Sequence, residues 1–151
     1  MNVDFDIVIG KPPAHLWDRI VERFGIEWGR VIVTYGQEVF TSGELPEDLI
    51  VHEGVHVQQQ MAYGKDLWWD RYLTDDVFRL TQELEAYRAQ WQFLASSVKD
   101  RNTLAWHLAR ISGDLSSELY GRIVTSEQAR QAIQSNEPVE KFFVRVLPTT
   151  S

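Results

Sequence analysis

The stretch Leu49-Ile50-Val51-His52-Glu53-Gly54-Val55-His56-Val57-Gln58-Gln59-Gln60-Met61 decides how this chain is read. It lies in a region whose apolar spacing turns helical at about Leu45, and it places two histidines four positions apart. Four residues advance an α-helix by about 400°, so the imidazoles of His52 and His56 point the same way, one turn apart. Rings so placed can give two nitrogens to one tetrahedral cation. Glu53 stands about 100° round the helix from His52, near enough to reach a water on that cation yet awkward as a ligand to it. That is where a general base belongs. By composition alone, such a pattern arises in on the order of one in a few hundred chains of this length. The competing explanation, a surface helix with two unrelated histidines, makes a statement about faces. At about 100° per residue, Ile50, Gly54, Val57 and Met61 form one stripe, with His52 and His56 nearly opposite. Leu49 and Tyr63 flank the histidines, so both faces are expected to be covered, the helix central and its histidine face lining a cleft.

Two histidines leave the cation short of a ligand. The chain has no Cys, so the third must be His, Asp or Glu. His15, at the start of a first helix, and His107, between Trp106 and Leu108, fit packed or capping roles better. No histidine occurs between Val57 and Gly64. A long helix capped by Thr74, Asp75 or Asp76 and running to about Lys99 offers Glu83 and Glu85. Its apolar stripe is Val77, Leu80, Leu84, Tyr87, Trp91 and Leu94. Glu83 lies about 70° from the centre of that stripe and Glu85 about 130°. Glu83 is therefore favoured as the third ligand, since a carboxylate beside a packing stripe is costly to bury without a counter-charge.

Outward from these helices, residues 3–9 alternate apolar and polar up to Gly10, Pro12 and Pro13, which reads as a short strand. A helix follows from Pro13, with Leu16, Trp17, Ile20, Val21 and Phe24 at helical spacing and a stop at Gly25. Residues 30–41 read as a hairpin turning at Gly36 and Gln37. Breaks are expected at Gly64, near Asp100, around Gly113 and at Gly121. Thr125 and Ser126 open a short helix, and a last strand is expected over residues 142–147. The fold class is α+β: a small, mainly antiparallel sheet in the N-terminal part, packed on a mostly helical second half.

With 151 residues, the chain matches one domain over 1–151, large enough to need no metal or disulfide in place of a core. A metal would then serve chemistry. Fifteen Lys and Arg against 22 Asp and Glu give a net charge of −7, which disfavours nucleic acid and anionic membranes as partners. Acids at Asp4 and Asp6, where a signal peptide would be basic, and the lack of a long apolar run make a cytoplasmic location the expectation.

At His52, Glu53, His56 and Glu83 the chain resembles the gluzincin branch of zinc metallopeptidases. There the third ligand is a Glu on a following helix, commonly with Ala three positions later, as in Glu83-Leu84-Glu85-Ala86. It is similar to minimal predicted-peptidase domains of phage and prophage genomes, whose helix continues with Val and Gln, as His56-Val57-Gln58-Gln59-Gln60 does. The resemblance covers residues 31–94. It implies a two-layer, zincin-like fold with Zn²⁺ on His52, His56 and Glu83, and with Glu53 taking a proton from a metal-bound water. It further implies a peptide or protein substrate, held extended against an edge strand for which residues 31–41 are the expected source. If the chain is phage-encoded, the location is the host cytoplasm. Tyr87 departs from the pattern, standing where several gluzincins place an Asp or Asn behind a metal histidine. Tyr72, Arg71, Arg79, Tyr87 and His107 are the candidates for stabilising an oxyanion, with both arginines expected on solvated faces. The alternative is a phage structural or interaction protein that keeps the fold without useful catalysis.

Overall fold

The computed structural model describes residues 4–139, 142 and 143. The chain forms two compact units, Met1–Thr74 and Asp75–Ser151. The class is α+β, with three strands and six α-helices among the described residues. None of those helices is long and apolar enough to cross a membrane.

The first unit opens with strand β1 (Asp6–Ile9), then helix α1 (Ala14–Phe24), the hairpin strands β2 (Val33–Tyr35) and β3 (Glu38–Thr41), and helices α2 (Glu47–Tyr63) and α3 (Lys65–Thr74). Pro13 sits at the N-cap of α1, and Gly25 ends the helix in the left-handed conformation with its N–H on the Val21 carbonyl. The hairpin turns where expected. Gly36 takes a φ of 65°, the left-handed region that favours glycine in such a turn.

The sheet has the order β1-β3-β2 and is mixed, where a mainly antiparallel one was expected. β2 pairs antiparallel with β3, but β1 runs parallel to it, Asp6 opposite Glu38 through Ile9 opposite Thr41. The cause is α1: a helix between β1 and the hairpin is the crossover that returns a chain to a parallel neighbour. On β1, Ile7 and Ile9 are exposed, so the apolar alternation there marks a strand but not a covered face. The core of this unit gathers Leu16, Trp17 and Ile20 of α1, Val33, Val39 and Phe40 of the hairpin, and Trp68, Trp69, Tyr72 and Leu73 of α3.

The second unit holds α4 (Asp76–Ser97), α5 (Arg101–Leu115), a 3-10 turn (Glu118–Tyr120) and α6 (Ser126–Gln134). Asp75 caps α4 by accepting from the Phe78 N–H, and Thr125 opens α6 through a reciprocal capping box with Gln128. α5 runs through Gly113 to Leu115, so the break falls just after that glycine. α4 packs on α5 and α6, with Leu80, Leu84, Leu94, Ile111, Leu115, Ala129, Ala132 and Ile133 buried. Of the strand expected over residues 142–147, Phe142 and Phe143 are helical and the remainder lies outside the described residues.

Candidate metal centre

Helix α2 starts after Pro46, with Glu47 and Asp48 in its first turn, where carboxylates suit the helix dipole. Its buried residues are Asp48, His52, Glu53, His56, Val57 and Gln60. Asp48, His52, His56 and Gln60 follow one another at steps of four, the spacing that stacks side chains on one helix face. This corrects the expected facing. Of the stripe Ile50, Gly54, Val57 and Met61, only Val57 is buried, and Met61 is 56% exposed. The buried side of the helix is chiefly its polar side. Gly54 faces the Phe5 ring, which a Cβ there would meet at 3.4 Å, an ordinary van der Waals distance.

The two imidazoles stand edge to face, 5.0 Å between centroids. Behind them the Trp68 indole meets the His56 ring at 5.4 Å and stacks on Tyr72 at 4.8 Å. His56 Nδ1 lies 2.8 Å from Oε1 of Gln59. Glu53 Oε2 is 3.9 Å from His52 Nε2, while its Oε1 accepts from the Thr34 hydroxyl at 3.1 Å. Thr34 is itself held. Its carbonyl accepts from Gln60 Nε2 at 2.8 Å and from Trp69 Nε1 at 2.9 Å, and Gln60 Oε1 accepts the Gly36 N–H at 2.7 Å. β2 is thus the hairpin arm that lies along the histidine helix. Its Thr34 carbonyl is already engaged by side chains, so an extended peptide would have to displace them to pair there.

Glu83 lies on α4 and is 3% exposed, whereas Glu85 is exposed. One ligand atom from each of His52, His56 and Glu83 lies within 4.8 Å of the others, a buried group that could hold a metal ion. The donor set fits zinc. Two imidazoles and a carboxylate make the three-ligand set of catalytic zinc sites, which leave a fourth position for water or substrate.

The remaining histidines stand elsewhere: exposed His15 lies 3.4 Å from the Tyr35 hydroxyl, and His107 contacts Arg110 and the Trp106 ring. Arg71 is exposed and donates to the Tyr63 hydroxyl, as expected of a solvated face. Arg79 is not on such a face. It is fully buried and pairs with Asp76, because α4 is covered well beyond its apolar stripe, with Thr81, Glu83 and Gln90 also buried. Tyr72 belongs to the tryptophan cluster, and Tyr87 meets Tyr120 hydroxyl to hydroxyl at 3.4 Å. Reasoning from sequence missed Thr34 and the separate duties of Gln59 and Gln60. The one available signal was the run of three glutamines after His56.

No protein-family model, curated protein or solved structure matches this chain.

Beside the hairpin turn, the Tyr35 hydroxyl donates to Asp66 at 2.6 Å. That bond, with burial and the Asp66 charge in smaller parts, pushes the phenol up to about 12 from an ordinary 10. Between these values the folded chain binds a proton that the unfolded chain has lost. The stabilisation is therefore complete below pH 10 and is lost as pH rises towards 12. Phenolate absorbance followed from pH 9 to 12, with Tyr35→Phe identifying the contribution, should show ionisation moving back towards 10 in Asp66→Asn. An unmoved titration would remove Asp66 as the cause.

Proposed function

We propose that this chain is a zinc-dependent hydrolase, a metallopeptidase in which His52, His56 and Glu83 hold the metal and Glu53 is the general base. The observation that carries the reading is the buried set of two imidazoles and a carboxylate, with a further carboxylate, Glu53, beside the first imidazole. Buried carboxylates are costly unless they are paired, and a divalent cation is a partner that two imidazoles and a carboxylate can share. Zinc held there contributes Lewis acidity, drawing electron density from a carbonyl oxygen and acidifying water. The protein's own part is positioning and proton transfer. Thr34 holds Glu53 through Oε1 beside His52, where the carboxylate would take a proton from the attacking water and return it to the leaving amine.

The test is elemental analysis of protein purified without added metal, followed by digestion of a peptide library. About one zinc per chain and cleavage of the library are expected. Full zinc occupancy in His52→Ala would overturn the ligand assignment. A zinc-loaded chain that cleaves nothing would favour a structural or interaction protein that keeps the site.

A further inference from the structure

The three glutamines that follow His56 have different environments. Gln58 is exposed, and Gln60 is buried with both ends of its amide on the β2 hairpin turn. Gln59 is the one whose oxygen faces the second histidine, 2.8 Å from Nδ1. A carbonyl oxygen only accepts, so this contact requires the ring proton on Nδ1 and leaves the lone pair on Nε2. We propose that Gln59 is a positioning residue for the metal: it sets the tautomer and the ring angle of His56 so that Nε2 is the ligating nitrogen. The inference rests on the zinc reading above, and the partner it assigns to His56 is an amide three residues along the same helix.

The spacing allows it. Residues three apart share a helix face, and the Trp68 indole also packs on the ring. An acceptor behind a metal-bound imidazole also raises its basicity, and losing one typically costs about 10–100-fold in metal affinity.

The experiment is zinc affinity by competition with a chromophoric chelator, on wild type, Gln59→Leu, Gln59→Glu and Gln58→Leu, each checked for folding by circular dichroism. Gln59→Leu should bind about tenfold or more weakly, and Gln58→Leu as wild type. Gln59→Glu keeps an acceptor and should bind at least as tightly as wild type. A loss in Gln59→Glu equal to that in Gln59→Leu would mean the amide nitrogen faces the ring, and would overturn the proposal. Equal affinity in wild type and Gln59→Leu would overturn it while leaving the zinc reading intact. Failure of wild type to bind zinc would remove both.

Discussion

Replacing Glu53 by Gln should leave zinc bound and lower peptide hydrolysis by about two to four orders of magnitude, the usual worth of a positioned general base. The substitution keeps the side chain's shape and the oxygen that accepts from the Thr34 hydroxyl at 3.1 Å, so its effect falls on proton transfer. His52→Ala should do the opposite in kind, removing most of the metal and the activity with it. Initial rates on one library peptide, set beside elemental analysis of the same preparations, distinguish the two. Equal rates in wild type and Glu53→Gln would expose a contaminating peptidase and take Glu53 out of the mechanism.

The second large effect is expected on stability. Trp68 is 2% exposed, stacks on Tyr72 and packs against the His56 ring. Truncating a buried Trp to Ala costs about 3–5 kcal/mol through lost transfer energy and the cavity left behind. A fall in Tm on the order of 10 °C should follow for a chain of this size. Thermal unfolding by near-ultraviolet circular dichroism reads it directly. A loss below about 1 kcal/mol would mean the surroundings collapse to fill the space, and would deny Trp68 its place as the rigid wall of the site.

How far the sequence carried depended on the kind of signal each residue leaves. The hairpin turn at Gly36, the α1 stop at Gly25 and the Thr125 cap are local events, governed by neighbours within four residues, and all were legible. The preference for Glu83 over Glu85 as the inward-facing acid was legible too, because α4 has a dense apolar stripe to measure from. On α2 the same device misled, since apolar periodicity assumes that the buried face is the greasy one. Asp48, His52, His56 and Gln60 are buried as polar groups, a cost that makes sense only with partners the pattern does not show. Arg79 was misplaced for the same reason. The parallel pairing of β1 with β3 was hidden for another: strand order depends on contacts between residues 6–9 and 38–41, which no local rule reaches.

The Gln60 amide joins helix and hairpin in both directions, donating a hydrogen bond to the Thr34 carbonyl and accepting one from the Gly36 N–H. Opening the turn therefore means detaching it from the helix, and fraying the helix at that point means releasing the turn. Excursions of the two belong to a single cooperative event rather than to two independent ones. The Thr34 hydroxyl that holds Glu53 is carried on the same strand, so the base is bonded to a segment that its own helix ties down through Gln60.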